Sequence, residues 1–579
     1  MVSVRLLISP GRILLPALCA ALAAGCATAP EKAAPAPKPD AAAMTIVAEI
    51  ALQRGDCRTA SETYAKAALL ASAPVAQRAS EVGLACEDLP AAWTSVQRWR
   101  ELAPRSREAQ AMYAAVALKL YRIAEARAAV KEYLRESQPP EAGRSAQGRQ
   151  GLPSANTADR GLAELVTLLL EECEPPEVFA ALRGVVDTTR APPARLTLLG
   201  ELALAAYDAR AARDYALRAV RESPKDFPAN RLLARAYVVL GEPSQAIAAA
   251  QAFMREAPQR GLFELADVYQ ALGRVEDAHD ELERLRAGGA PRAEVDRRLA
   301  VLAYDSGDLR EAQQRFAALA QSGEASESVL MYLSDIAARE GDIEAALAGY
   351  GKLADSPLAL QAREKAAALL LASHRDAAAL ALFQGYARQH PDDTVELTVA
   401  EAQVLGSHGR ATTALRLLDA ALQSHPGHPA LEYERAIVLE QAGEVTRAVR
   451  ALERLLAERP DDPAVLNALG YTLADHDLQL PRAQSLIRRA LAQMPDNPAV
   501  LDSLGWVRLR QGDAAGALAP LQRAYGISHD AQIAAHWGQA LWTAGRHEAA
   551  RKVWAEALAR NPGSQSLRAV VARFIPNAK

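Results

Sequence analysis

A small residue followed twelve positions later by alanine recurs along this chain with a period close to 34 residues. The pairs are Ala48 and Ala60, Ser80 and Ala92, Ala114 and Ala126, Gly200 and Ala212, Ala234 and Ala246, Ala266 and Ala278, and Ala300 and Ala312. They continue as Ser334 and Ala346, Ala367 and Ala379, Ala402 and Ala414, Ala436 and Ala448, Gly470 and Ala483 (one residue wider), Gly505 and Ala517, and Gly538 and Ala550. A period of this length marks a stack of similar units rather than several unrelated domains. Composition agrees: half of the 579 residues are hydrophobic but only 5% are aromatic, and Ala and Leu supply most of the apolar share. Such a chain suits many close-packed helices and suits a β-sandwich poorly, because strands favour branched and aromatic residues.

The pattern resembles the tetratricopeptide repeat, which sets a small residue at position 8, Ala at position 20 and Pro at position 32. The resemblance implies an all-α, right-handed superhelical solenoid of about fifteen helix-turn-helix units. In each unit the two small positions face each other where antiparallel helices cross, and larger apolar residues fill the gaps; in the last unit these are Ala534, Trp537, Leu541 and Trp554. Proline ends second helices at Pro104, Pro224, Pro258, Pro391, Pro426, Pro460, Pro495 and Pro562, since it lacks an amide donor and disfavours helix in the residue before it. No unit buries its apolar face alone, so the array is a one-dimensional stack. The interval from Ala114 to Gly200 breaks the period. It contains residues 137–160, rich in Gly, Pro, Ser and Gln with Arg144, Arg149 and Arg160, and reads as a long loop, a docking element or a tolerated insertion. A degenerate helix pair, Gly161 to Cys173 and Glu177 to Thr189, is expected to follow. The array is thus read as an N-terminal part, 41–136, and a C-terminal superhelix, 161–579.

Residues 1–25 read as a secretory signal: Arg5 and Arg12, then an apolar run from Ile13 to Ala24, too short to span a bilayer. The run Leu22-Ala23-Ala24-Gly25-Cys26 resembles the bacterial lipobox, with Ala23 where leucine is commoner. That resemblance implies cleavage before Cys26 and acylation of its thiol, palmitate included. Two or more acyl chains anchor a protein stably. Ala27, rather than Asp, favours sorting to the outer membrane, with the body facing the periplasm. Residues 26–40 carry the lipidated Cys and a Pro/Ala tether with polyproline character, about 45 Å long when extended.

Net charge is −4, from 66 basic and 70 acidic residues, and no basic block suggests nucleic acid. No G-x-S-x-G elbow, H-E-x-x-H pair or P-loop is present, so no enzyme, cofactor or metal is expected. His425 and His428, in HPGHP, have no third ligand; Asp392-Asp393 and Asp461-Asp462 precede helices as caps. Cys57 starts a second helix and Cys86 ends the first helix of the next unit, so the antiparallel ends meet; a disulfide is expected, as in an oxidising compartment. What remains is binding. In a tetratricopeptide stack the first helices line a concave groove, which at the C-terminal end would present Tyr433, Asn467, Tyr471, Asp475, Asp502, Trp506, Arg510, Gln539 and Trp542. Exposed Tyr, Trp and Arg are interface anchors; packing between adjacent helices is the other reading of the aromatics.

The lipobox, the tether, the repeats and the terminal series LNALGYTLAD, LDSLGWVRLRQGD and AAHWGQALWTAGR together resemble the proteobacterial outer-membrane tetratricopeptide lipoproteins of the LbcA type. That resemblance implies a non-catalytic adaptor. It would bind a periplasmic carboxyl-terminal processing protease (CtpA) and bring it substrates, notably peptidoglycan cross-link hydrolases. The alternative is an outer-membrane lipoprotein that activates a peptidoglycan synthase or supports polysaccharide export.

Overall fold

The computed structural model describes residues 40–136 and 156–575, apart from 253, 255–256, 325, 390–393 and 562. Cys26, the tether before Asp40 and residues 137–155 lie outside the described residues. Among the described residues there are 31 helices and no strand. They run as fifteen antiparallel pairs, from Ala41–Gln53 with Cys57–Leu70 to Ala531–Thr543 with His547–Arg560, closed by a single helix, Gln565–Phe574. The chain is an all-α repeat solenoid.

The turn between the two helices of a pair is written in two residues. Gly307 and Gly341 end first helices in the left-handed region, at φ of 91° and 84°, where a side chain is strained. The aspartates that follow, Asp308 and Asp342, then accept the Glu311 and Ala345 amides at 2.9 and 3.0 Å and start second helices; such a cap contributes about 1 kcal/mol. Where the turn reads Gly-Arg, at Arg274 and Arg546, no side-chain cap forms.

All fourteen alanines at the second small position are at most 2% exposed, and every first-position residue is buried as well. The glycines among them have a specific use. A Cβ on Gly538 would fall inside the indole of Trp554, and one on Gly505 inside the Leu521 side chain. Glycine there lets the bulky residue of the second helix reach across the crossing point.

Two boundaries differ from expectation around the irregular pair. The helix following the long loop begins at Asn156 rather than after 160, and spans Asn156–Glu172. Its partner is Pro175–Leu182, shorter than the expected Glu177 to Thr189, because Arg183 is extended and Gly184 turns left-handed at φ 81°.

The stack winds until distant units touch. Arg58 Nη1 donates to the Gln423 carbonyl at 3.3 Å, the Val395 amide to Glu87 Oε2 at 3.2 Å, and the Tyr121 hydroxyl to Gln493 Oε1 at 3.1 Å. The Asp496 amide donates to the Tyr207 carbonyl at 2.9 Å. The C-terminal units therefore rest on the N-terminal and middle ones.

The sulfurs of Cys57 and Cys86 are joined, with Cα atoms 5.3 Å apart. Closing a loop of this size contributes about 3 kcal/mol in the chain-entropy model. Cys173 is free, and burial pushes its thiol far above the usual range. With Cys19 and Cys26 replaced by serine, the unreduced chain should show no fast-reacting thiol when native and one after denaturation. Three thiols after denaturation would exclude the crosslink.

Candidate binding groove

Four consecutive first helices near the C-terminus build one continuous wall: Pro429–Gln441, Pro463–Asp475, Pro498–Arg510 and Ala531–Thr543. Pro463 and Pro498 open their helices where a missing amide costs nothing, and Asp462 and Asn497 cap them by accepting amides two and three residues on. Residues four apart then share a face: Asn467, Tyr471 and Asp475 on one helix, and Asp502, Trp506 and Arg510 on the next.

These faces bond to one another across units. Trp506 Nε1 donates to Asp475 Oδ1 at 3.0 Å. His536 Nδ1 lies 2.9 and 3.0 Å from the two Asp502 oxygens, and its ring stacks on Trp506 with centroids 4.1 Å apart. Gln532 Nε2 donates to the Tyr471 hydroxyl at 2.8 Å, linking helices two units apart. Arg510 pairs with Asp477 through Nε at 2.9 Å and through Nη2, and lies 5.4 Å from the Trp506 ring centre. Burial and the nearby Asp475 and Asp502 push the Tyr471 phenol up, so it stays protonated.

The structure brings the expected groove residues together but divides their work. Asp502 and Trp506, expected to face a ligand, are only 4% and 6% exposed; their polar atoms are spent on His536 and Asp475, and they make the substance of the wall. Tyr433 is half-buried against the same core, and burial pushes its phenol up. Trp542 stacks on His547 at 4.4 Å and packs beside Trp554 and Phe574, covering the last unit. Asn467, Tyr471, Asp475, Arg510 and Gln539 are half-buried and form the accessible edge. The Asn467 Oδ1 is buried without a hydrogen-bond partner.

His536 is 6% exposed and central to the network, yet it was not among the expected site residues. Its position relative to the repeat is the available signal: it stands one place after Ala535, the residue equivalent to Asp502 one unit on. A second inner surface was likewise not anticipated. Leu204, Tyr207, Arg231, Arg235, Val238, Glu264 and Val268 line a cavity of about 420 Å³ that Asp496 and Ile527 close from the C-terminal units. Burial raises the Glu264 carboxyl to about 7, against the lowering effect of Arg231 at 3.5 Å.

Among the described residues, one group of side chains could converge on a metal ion: Glu440, Asp475 and His476. In the structure His476 Nε2 is 2.9 Å from Glu440 Oε1, so this trio already serves as a bridge between successive first helices. His425 and His428 have ring centres 6.5 Å apart. They flank a separate cavity of about 460 Å³ between the first two units and residues 424–428.

Helix pairs stacked so that their first helices form a common inner wall define a repeat scaffold. Tetratricopeptide-repeat models match residues 407–470, and 297–356 with 478–531, which include two of the four wall helices; these stretches carry tetratricopeptide repeats. Such repeats are protein–protein interaction modules, and no enzyme family is indicated. No curated protein matches the chain. Among solved structures it is similar to a thermophilic tetratricopeptide protein of Thermus thermophilus, at 22% identity over 31% of this chain and 99% of that one, with a TM-score of 0.29. It is also similar to the APC/C hetero-tetramer Cut9–Hcn1, at 14% identity, 93% and 97% coverage and TM-score 0.30. MamA from Desulfovibrio magneticus RS-1 is similar at 19% identity, 30% and 98% coverage and TM-score 0.24.

Proposed function

We propose that this protein is a non-catalytic scaffold lipoprotein, held to the outer membrane through Cys26. It binds a carboxyl-terminal processing protease in the periplasm and brings that protease its cell-wall hydrolase substrates. The observation that carries the binding role is the continuous inner wall, rigid at Asp502, Trp506 and His536 and accessible at Tyr471, Arg510 and Gln539. The choice of partner comes from the resemblance of the lipobox, tether and terminal series to LbcA-type lipoproteins. The Cys57–Cys86 crosslink suits an oxidising compartment. Holding protease and substrate on one coil raises their effective concentration without any chemistry by the scaffold.

Affinity purification of the tagged full-length protein from envelope extracts, followed by mass spectrometry, tests this directly. A carboxyl-terminal processing protease should co-purify; a peptidoglycan synthase or export component in its place overturns the reading. Arg510 tests the wall. Arg510→Ala should weaken protease binding by about ten- to thirty-fold, or about 1.4–2 kcal/mol. Its exposed pair with Asp477 contributes only about 0–1 kcal/mol to stability, so melting should stay near wild type. Unchanged affinity would remove Arg510 from the binding surface.

A further inference from the structure

The outer unit of a repeat stack has one face without a neighbour, and that face is ordinarily polar. The first helix, Ala41–Gln53, departs from this. The side turned toward Cys57–Leu70 is small, with Ala48 and Ala51 buried. The opposite side carries the bulk: Ala42, Ile46 and Ile50 fall on successive turns, with Ala43 and Val47 beside them. Ile46, Val47 and Ile50 are 62%, 51% and 43% exposed. The helix has a single charged residue, Glu49, and that carboxylate is engaged by Arg78 at 3.1 Å and by the Tyr64 hydroxyl. A helix that is apolar all round is one that is covered on both sides, and contiguous exposed apolar surface marks an interaction site.

The sequence before the helix indicates the cover. Asp40 caps the helix, and fourteen residues separate it from Cys26. An extended chain of that length spans about 45 Å, so an acylated Cys26 keeps this helix close to the bilayer at all times. We infer that the Ile46, Val47 and Ile50 face of Ala41–Gln53 seats on the lipid surface. This rests on the lipid-anchor reading given above. The face offers no charge and no hydrogen-bonding group that would fix register with a protein, whereas a bilayer requires none. Arg54 continues the same stripe, four residues after Ile50; it is exposed and has no ion pair among the described residues, as suits a side chain reaching lipid phosphate. The tether alone would let the solenoid swing freely. A seated first helix fixes its orientation to the membrane plane.

The test places an environment-sensitive nitrobenzoxadiazole label at Val47→Cys in the full lipoprotein carrying Cys173→Ser. The protein is reconstituted in vesicles of phosphatidylethanolamine and phosphatidylglycerol, with and without spin-labelled lipid. The control label sits at Glu344→Cys, a side chain that is 78% exposed in the middle of the array. Quenching by spin-labelled lipid should be on the order of threefold stronger at 47 than at 344, and Ile46→Glu with Ile50→Glu should abolish the difference. Equal quenching at both sites overturns the inference. So does a blue shift at 47 that depends on protein concentration without vesicles, which would assign the face to a second copy, or one that appears only with the protease. Intact mass of the purified protein reports acylation of Cys26 separately. Repeating the measurement with a hexahistidine tag in place of Cys26, captured on nickel-chelating lipid, reads the face even if Cys26 proves unacylated.

Discussion

Trp506→Ala should destabilise the C-terminal units by about 3–5 kcal/mol, the cost of emptying a buried aromatic site. Three connections fail together: the indole hydrogen bond to Asp475, the stack on His536, and the packing against the core shared by Leu469, Leu473 and Val507. The His536–Asp502 pair sits beneath that stack, both side chains under 10% exposed, so water admitted at 506 weakens a pair whose strength depends on being dry. In a repeat array one global unfolding free energy is not well defined. The effect should therefore be read as a lowered melting transition together with faster amide exchange confined to 463–543. Trp506→Phe keeps most of the packed volume and loses the hydrogen bond, and should cost about 1 kcal/mol. Normal melting with a large loss of partner affinity would reverse the assignment and make Trp506 a ligand anchor.

That assignment marks the boundary of what the sequence disclosed. The units, their small crossing residues and their Gly-Asp turns are local: each is fixed by residues within about one period, so the pattern can be read directly. The face on which Trp506 lies was equally legible from its spacing with Asp502 and Arg510. Its burial was not, because it depends on where His536 of the next unit sits and on how far the inner wall curves. The Tyr471–Gln532 bond shows that the curvature is tight enough for helices two units apart to meet. Curvature is the sum of small rotations between units, and no single residue encodes it. The same reasoning applies to Ala41–Gln53. Its alanines fit the small-residue rule, yet the large residues stand on the side away from the stack, which the repeat pattern alone does not explain.

Contacts between distant units are the extreme case, and Asp496 shows what they hold. It lies between the helices Leu480–Gln493 and Pro498–Arg510, 2% exposed. Its carboxylate accepts the Ala209 amide at 2.8 Å, from a helix 287 residues earlier, and also holds the Arg523 guanidinium. Its own amide donates to the Tyr207 carbonyl. Asp496 thus supplies a cap to the helix Ala209–Glu222 from another part of the coil, at the positive end of that helix dipole. Removing one member of a fully buried pair costs about 3–5 kcal/mol; because Arg523 is 31% exposed and recovers some hydration, about 2–3 kcal/mol is expected for Asp496→Ala. That cost falls on the contact between turns, not on any single unit, because every unit keeps its own crossing alanines. The expected result is a coil that opens while its helix content persists: an increased radius of gyration by small-angle scattering, faster exchange at the Ala209 amide, and an unchanged far-ultraviolet circular dichroism spectrum. Asp496→Asn retains an acceptor for Ala209 but loses the charge facing Arg523, and should open the coil less. If Asp496→Ala leaves the scattering profile unaltered, the turns are held by the Arg58, Glu87 and Tyr121 contacts instead, and Asp496 contributes only a local cap.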